Sequence, residues 1–288
     1  MNQSANKYNT VKIPKSGNAS IRFLYNTVPG RFFLRLLIKT FFSKLTGLIL
    51  SSPVSRIFIK KFIIKNNINM DEYRDKNYKS FNDFFIREIK EGLRPFPQNE
   101  NDLAVPGDGK LTAYKITNNS TFKVKNSEFS VSDMLEDKKL VYDYLNGTCL
   151  ILRLTPDDYH RYAYIDDGEV LHRKHIKGVL HTVRPIAYQR YKVFCRNTRE
   201  YTIINTKNFG KIIQIEVGAL LVGRITNYGS NRMIKRGEEK GVFQFGGSTI
   251  IMLFQKDTVK IDDEIYENTK QNRETIVKMG NKIGEKCP

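Results

Sequence analysis

The residues best able to do chemistry lie in the stretch 241–256, GVFQFGGSTIIMLFQK, where two glycines precede Ser248 and Thr249. Apolar segments with the composition of β-strands flank them, and glycines that interrupt a strand pattern indicate a bend or a close approach of the backbone. The Ser248 hydroxyl would lie beside the unhindered carbonyl of Gly247, and a base that removes its proton would make it a nucleophile. A β-hairpin turn accounts for the same residues, because Gly and Ser are common in turns.

The composition is that of an ordinary globular protein, with 40% hydrophobic and 27% charged residues among 288, and it excludes a disordered chain. This length allows one large domain or two smaller ones. A formal net charge of +18 favours a polyanionic partner, either a nucleic acid or an anionic membrane. The basic segments lack Arg stripes interleaved with aromatic residues, so we expect the membrane and no nucleic acid.

The cysteines and histidines form no pattern typical of a disulfide framework or a metal site. The three cysteines, Cys149, Cys195 and Cys287, have no CxxC spacing, which favours a reducing compartment. His172 and His175 stand three residues apart in the basic run HRKH, where a solvated turn is favoured over a metal site. We therefore predict no metal.

Residues 21–67 combine apolar and basic side chains and contain no acidic residue. No window reaches the roughly 20 uncharged apolar residues that a membrane-spanning helix needs. On a helical wheel the large apolar side chains gather on one side: Phe33, Leu34, Leu37, Phe41 and Leu45. A basic amphipathic helix of this kind is typical of a segment lying in a bilayer interface. Helices that pack this face onto the domain core are the alternative, which the absence of acidic residues disfavours.

The β-rich part of the chain begins after a helical region that spans residues 21–98. Ser80 and Asp83 indicate the start of a short helix near the end of that region. From residue 99 to 266, segments rich in Val, Ile, Thr and Tyr are separated by glycine-containing turns. The sequence therefore predicts an α+β fold, with antiparallel sheets behind an N-terminal helical, membrane-facing region.

Both ends of the chain are polar. Residues 1–20 lack the apolar core of a signal peptide, and we expect a loose N-terminus there. Residues 267–288 carry mixed charges, and we expect a mobile C-terminal tail.

The run KRGEEKGVFQFGGSTIIMLF resembles the C-terminal signature of the phosphatidylserine decarboxylase proenzyme family, in which Gly-Glu-Glu-x-Gly-x-Phe precedes a Gly-Ser-Thr cleavage site. Other blocks that resemble the family follow the same order: FNDFFIREIKEGLRPF, AVPGDGKL, TPDDYHRYAYIDDG, HTVRPIAYQRY with NTREYTI, and EVGALLVGRI. The matches run from about residue 70 to 256. Their order makes the resemblance specific, although each block alone would be weak.

The resemblance implies a precursor that cuts itself between Gly247 and Ser248, within a β-rich catalytic domain at 99–266. The products would be a large chain, 1–247, and a small chain, 248–288, which stay together as a heterodimer. Ser248 would become a pyruvoyl group, which binds the substrate amine and accepts electrons when carbon dioxide leaves. The implied reaction converts phosphatidylserine to phosphatidylethanolamine and CO2. The implied place is the cytoplasmic face of the cell membrane, with the enzyme bound peripherally to anionic phospholipid.

The resemblance also suggests partners for Ser248. Asp108 matches the family aspartate that orients the base, although alone it reads as a turn residue, and His160 matches the first histidine of the Asp-Tyr-His-Arg block. Many members carry a second histidine three positions later, often taken as the base for self-cleavage, and here that position is Ala163. Three possibilities stay open: His160 supplies the base, His181 does so, or the precursor matures slowly or not at all.

Two further functions stay open at this stage. A pyruvoyl-dependent decarboxylase could act on another amine, such as a soluble amino acid, but the basic apolar segment 21–67 argues against a soluble substrate. An inactive membrane-binding homologue would agree with both that segment and Ala163.

Overall fold

A computed structural model of the chain describes residues 7–14, 19–124, 127–188, 191–220, 224–229, 232–246 and 248–288. The α-helices are α1 Ala19–Asn26, α2 Val28–Leu37, α3 Thr40–Ser51, α4 Ile57–Asn66, α5 Phe81–Phe85, α6 Val131–Leu135, α7 Pro185–Tyr188, α8 Val193–Arg196 and α9 Asp263–Lys270. Short 3-10 helices lie at Pro53–Arg56, Met70–Glu72 and Leu140–Tyr144. The strands are β1 Thr10–Lys12, β2 Asp102–Ala104, β3 Gly109–Lys115, β4 Thr121–Val124, β5 Ser127–Ser130, β6 Thr148–Leu154, β7 Arg161–Ala163, β8 Gly168–Ile176, β9 Arg199–Thr206, β10 Lys211–Val217, β11 Ile225–Asn227, β12 Met233–Ile234, β13 Glu239–Phe243, β14 Ser248–Phe254, β15 Val259–Ile261, β16 Arg273–Val277 and β17 Lys282–Lys286.

Nine of the described strands form one sheet in the order β1-β16-β3-β6-β14-β10-β9-β8-β12. Strands β11, β13 and β7 form a second sheet, β15, β17 and β2 a third, and β4 pairs with β5. The pairings between these strands are antiparallel. N-terminal helices followed by antiparallel sheets confirm the predicted α+β fold class.

Strand β14 lies in the middle of the nine-stranded sheet, between β6 and β10. All seven of its residues are buried, and a strand covered on both faces shows a continuous apolar run instead of an alternation. Successive side chains of a strand point to opposite faces. Ile251 and Leu253 accordingly pack in one core cluster, and Ile250 and Met252 pack in another.

The two apolar segments around Gly246 do not pair with each other. Strand β13 pairs with β11 and β7, whereas β14 pairs with β10 and β6. The chain between Phe243 and Ser248 therefore connects two different sheets. The β-hairpin that the local sequence allowed is wrong.

The predicted C-terminal tail is also wrong, because residues 267–288 belong to the folded body. Helix α9 continues to Lys270, β16 lies between β1 and β3, and β17 lies between β15 and β2. On β16 the buried Glu274 carboxylate accepts two hydrogen bonds from Arg153 of β6, at 2.8 and 2.5 Å. The polar composition predicted a tail because the partner that allows Glu274 to be buried lies 121 residues away in the sequence.

The N-terminus is only partly described. Thr10–Lys12 pair with β16, so this part of the predicted loose N-terminus is a strand. Residues 1–6 and 15–18 lie outside the described residues.

The N-terminal helices expose some apolar side chains and bury others. The single helical wheel is wrong, because the helix ends at Leu37 and α3 starts at Thr40. Leu34 is buried in a core cluster, whereas Phe33 and Leu45 are about half exposed, at 53% and 46%. The helices therefore bury part of the predicted apolar face in the core and expose the rest.

The structure of residues 267–288 predicts that Glu274→Ala lowers the free energy of unfolding by about 3–5 kcal/mol, because it leaves the Arg153 guanidinium buried without its carboxylate. Urea denaturation of the uncleaved Ser248→Ala variant would measure the change. Glu285→Ala is the matched control, since this carboxylate is about half exposed, at 51%, and lies 3.9 Å from Lys282. Equal stability of the two variants would contradict the packed arrangement.

Candidate active site

Ser248 begins β14 and is fully buried. Its Oγ has no hydrogen-bond partner among the described residues, and a buried hydroxyl without a partner needs an explanation in terms of strain or function. Gly246 has a φ of 128°, a conformation that strongly favours glycine. The other predicted cleavage residue, Gly247, lies outside the described residues.

His160 lies immediately before β7 and contacts the segment that leads to Ser248. Its ring is 1% exposed and lies against the Phe85 ring, with centroids 4.1 Å apart. Nε2 is 3.1 Å from the carbonyl oxygen of Gly246, and Nδ1 is 2.9 Å from the carbonyl oxygen of Asp158. The imidazole is therefore held beside the predicted cleavage site.

The surroundings of His160 favour a neutral ring that can take up a proton briefly. Burial, followed by the positive charge of Arg87, lowers the pKa of His160 to about 3. A neutral imidazole has one N–H, whereas both neighbouring oxygens are carbonyl acceptors. Only the protonated ring could donate to both. The ring is therefore free to accept a proton at pH 7, and the two carbonyls can accept its N–H groups once it is protonated, but its low pKa makes it a weak base in this resting geometry.

Asp108 is bound to Arg94, and no hydrogen bond between Asp108 and His160 is found in the described part of the chain. Arg94 Nε and Nη2 donate to the Asp108 carboxylate at 3.0 and 2.8 Å, and the Met279 N–H donates to it at 2.8 Å. Arg94 also pairs with Glu72 at 2.7 Å. In this geometry the carbonyl of Asp158, and not Asp108, orients the His160 ring.

Ala163 occupies the position where a second histidine is common in the family pattern. It lies in β7, is 1% exposed, and its N–H donates to the carbonyl of Pro106 at 2.9 Å. A methyl side chain cannot accept a proton, so this position supplies no base.

His181 lies on the other face of the central sheet from Ser248. Its ring stacks on Tyr191 with centroids 4.1 Å apart, and its Nδ1 is 3.3 Å from the hydroxyl of Tyr25. Both tyrosines belong to the core cluster that contains Ile251. By strand alternation Thr249 points to that cluster, whereas Ser248 points to the opposite face. Burial also lowers the pKa of His181, to about 4.

His160 is on the correct side for Ser248. Its carbonyl accepts the N–H of Phe243 at 2.9 Å, and Phe243 packs in the cluster that contains Ile250. Ile250 is two residues after Ser248 and shares its face of β14. The strand register therefore favours His160 over His181 as the residue that reaches the Ser248 hydroxyl.

A family model described as phosphatidylserine decarboxylase matches residues 81–285. The chain belongs to the phosphatidylserine decarboxylase family. It is 51% identical over 269 residues to phosphatidylserine decarboxylase proenzyme 2 of Clostridium acetobutylicum, an alignment that covers 93% of this chain and 92% of that protein. Phosphatidylserine decarboxylase proenzymes of Clostridium perfringens and Ruminiclostridium cellulolyticum are 44% and 42% identical. Those alignments cover 94% and 98% of this chain and 94% and 96% of the relatives.

Two arginines of this family member were missed by the sequence analysis. Arg94 holds Asp108, and Arg87 is a buried neighbour of His160. Both stand in the block FNDFFIREIKEGLRPF, so the resemblance had marked the segment without assigning these side chains a role.

Two histidines away from the site lie on a strand. His172 and His175 are part of β8, which corrects the predicted turn. Within the described ranges, no group of three or more His, Cys, Asp or Glu side chains could hold a metal ion.

The burial of His160 predicts that its ring stays neutral down to about pH 4 in the folded Ser248→Ala variant, because its pKa is near 3. The unfolded ring binds a proton near pH 6.5. Folding stability is therefore fully present above about pH 6.5 and falls as the pH drops toward 3, since the unfolded state binds more protons in this window. Nitrogen NMR of the imidazole at a series of pH values would measure the titration. A midpoint near 6.5 in folded protein would contradict the buried geometry.

Proposed function

We propose that this chain is the precursor of a membrane-bound phosphatidylserine decarboxylase and that it cuts itself between Gly247 and Ser248 with His160 as the base. Its membership of the family supports the proposed reaction, which converts phosphatidylserine to phosphatidylethanolamine and CO2. The observation that carries the role of His160 is the position of its neutral ring, with Nε2 3.1 Å from the Gly246 carbonyl and on the face of β14 to which Ser248 points.

The first step uses the proton acceptor and the unpartnered hydroxyl. His160 takes the proton from Ser248 Oγ, and Oγ attacks the carbonyl carbon of Gly247. The bond from that carbon to the Ser248 nitrogen breaks, the nitrogen takes up the proton, and an ester links Gly247 to Ser248 Oγ. The imidazolium that forms for a moment can donate to the carbonyls of Asp158 and Gly246, which offsets part of the cost of a buried charge.

The second step separates the two chains. Loss of the Ser248 Cα proton and cleavage of the Cβ–Oγ bond release Gly247 as a carboxylate and leave a dehydroalanine at residue 248. Its rearrangement to an imine and the addition of water release ammonia and leave the pyruvoyl group. When formed, this group accepts the electrons left behind as carbon dioxide departs from an amine substrate.

The residues around Ser248 are compatible with a pyruvoyl group formed from Ser248 itself. Ser248 pairs with Leu154 and Thr249 with Arg153, so the new chain end stays anchored on β6 after the cut. The orphaned Oγ leaves with the large chain, which removes the one buried polar atom of Ser248 for which the described residues offer no partner.

The small chain, 248–288, remains interleaved with the large chain. It contributes β14 between β6 and β10, and β16 between β1 and β3. Asp108 of the large chain also accepts the N–H of Met279. These contacts support a heterodimer that persists without a covalent link.

The N-terminal helices support binding to an anionic phospholipid surface. In the part of the chain described here, no helix has both the length and the apolar character to cross a membrane. Exposed large apolar side chains are concentrated on α1–α4 and the turn before α4: Phe23, Val28, Phe32, Phe33, Leu36, Phe41, Leu45, Leu48, Ile49, Val54, Ile57, Phe58 and Ile64. An exposed apolar surface of this kind beside basic residues is typical of a membrane-binding face. We place this face on the cytoplasmic side of the cell membrane, because the chain has no pattern of disulfide-forming cysteines.

An apolar cluster connects those helices to the candidate site. Phe62 of α4 packs edge-on against Phe81 and Phe84, and its ring centroid is 6.4 Å from that of Phe85. Phe85 in turn contacts His160. This continuity supports a substrate that comes from the membrane and argues against a soluble amine.

For maturation, we expect His160→Ala to slow self-cleavage by about 10²–10⁴-fold, the range typical of losing a general base. His181→Ala is the matched control and should mature at the wild-type rate if folded. Intact-mass analysis would follow conversion of the 33.5 kDa precursor into two chains. Ser248→Ala should give no cleavage. A wild-type chain that stays whole after long incubation would favour the inactive homologue instead.

For membrane binding, we expect Leu48→Asp to weaken attachment to phosphatidylserine-containing vesicles by roughly 10-fold or more, since burying one leucine side chain contributes about 1.5–3 kcal/mol. Met233→Asp is the matched control, because this side chain on β12 is 69% exposed and Leu48 is 72% exposed. Vesicle flotation would measure both. Equal losses for the two variants would contradict the assignment of the membrane face.

A further inference from the structure

Arg87 is a fully buried arginine beside the candidate site, and the described residues give it no carboxylate partner. It is 1% exposed, and its Nη2 donates to the hydroxyl of Tyr73 and to the carbonyls of Asp157 and Asp158, at 3.2, 3.1 and 3.3 Å. Its guanidinium carbon lies 4.3 Å from the Tyr73 ring centroid. Nε and Nη1 have no acceptor among the residues that the structure describes.

The other buried arginines are paired with acids. Arg94 binds Asp108, Arg153 binds Glu274, and Arg199 lies 3.4 Å from Glu136. Burying a charge without a counter-charge is costly. Because this guanidinium lies next to the proposed base, we look for its role in its effect on His160.

The link between Arg87 and His160 is a shared carbonyl oxygen. The Asp158 carbonyl accepts Arg87 Nη2 at 3.3 Å and faces His160 Nδ1 at 2.9 Å. A carbonyl oxygen has two lone pairs and no proton to give, so Nδ1 must carry the proton for this contact to be a hydrogen bond, and the same holds for Nε2 and the Gly246 carbonyl at 3.1 Å. A neutral ring can make only one of these two bonds, and the shorter contact, to the Asp158 carbonyl that Arg87 holds, favours the proton on Nδ1. In a neutral ring the lone pair then lies on Nε2, the nitrogen that faces the cleavage segment.

We propose that Arg87 is a positioning residue for His160: by holding the Asp157 and Asp158 carbonyls, it fixes the imidazole in the tautomer with its proton on Nδ1 and its free lone pair on Nε2. This inference rests on the proposed role of His160 as the base. It goes further by naming the side chain that selects which ring nitrogen takes the proton from Ser248.

The positive charge of Arg87 also affects the pKa of His160. It opposes protonation of His160, and the Asp157 carboxylate favours protonation to a smaller extent. The Asp158 carboxylate is held by Lys110 at 2.7 Å, which neutralises it. From α5 the ring meets the uncharged Phe85. Burial is the first cause of the low pKa of His160, and the charge of Arg87 is the second and acts in the same direction.

Two variants separate the charge from the hydrogen bonds. Arg87→Lys keeps the charge but cannot reproduce the planar guanidinium geometry, and Arg87→Met removes both. The test measures the rate of self-cleavage by intact mass from pH 4 to 8. We expect both variants to mature about 10²-fold more slowly at pH 7, the scale of a misplaced catalytic group. In Arg87→Met alone, the pH at which the rate falls on the acid side should move upward toward 6.5, because the pKa of His160 rises.

Arg199→Met is the matched control, since Arg199 is equally buried and donates to the carbonyls of Met134 and Asn197, away from His160. If folded, it should leave the acid limb of the profile unchanged. Arg87 variants with the wild-type rate and profile would overturn the inference, provided that His160→Ala blocks maturation. A His160→Ala variant that matures normally would instead overturn the proposed base itself.

A second readout covers the case in which Arg87→Met does not fold. Nitrogen NMR of the imidazole in the uncleaved Ser248→Ala variant should show the proton on Nδ1 of His160. Adding Arg87→Lys should populate the tautomer with the proton on Nε2. The same Nδ1–H tautomer, undiminished in Arg87→Lys, would overturn the inference.

Discussion

The position of β14 in the centre of the nine-stranded sheet is the constraint on which the site and the two-chain product depend. Hydrogen bonds to β6 on one side and β10 on the other hold this fully buried strand in place, and Ser248, its first residue, pairs with Leu154 of β6. The same register decides which face its hydroxyl points to and which histidine it can meet. Cutting the chain just before such a strand frees one end of a loop and leaves the sheet intact. The backbone can therefore be cut before Ser248 while the sheet that holds the site stays intact.

The fold class could be predicted from local composition, because enrichment in β-branched and aromatic residues and the presence of turn residues are properties of short segments. The pairing could not. The segments around Gly246 read as a hairpin, yet they pair with strands up to about a hundred residues away and in different sheets. The C-terminal segment read as a tail because Glu274 and Thr275 are polar, although both are buried in the sheet. Glu274 is tolerated in the core because Arg153, a partner distant in sequence, pairs with it there.

The residues of the candidate site could likewise be predicted only in part. Ser248 and His160 were singled out because the resemblance marks residue types in order, and the contact of His160 with the Gly246 carbonyl and the strand register favour it over His181 as the neighbour of Ser248. The hydrogen-bond partners were not predictable, because they are largely backbone carbonyls or arginines from another block. Asp108 shows this best: its carboxylate is satisfied by Arg94 and by the Met279 N–H. An aspartate with that many donors has little capacity left to orient an imidazole that already finds an acceptor in the Asp158 carbonyl.

The net charge of +18 is distributed unevenly along the chain. Many acids of the β-rich body are consumed in ion pairs, such as Glu216 with Lys240 and Asp158 with Lys110, so they neutralise bases that are themselves buried or half-buried. Residues 21–67 contain no acid, so their bases keep an uncompensated charge on the helices that also expose apolar side chains. Each well-placed base contributes about 1 kcal/mol of attraction to an anionic membrane surface. Residues 21–67 hold nine Lys and Arg and no acid, so about half of the net charge of +18 lies on helices that also expose apolar side chains. Around His160, by contrast, burial and the charge of Arg87 keep the ring neutral.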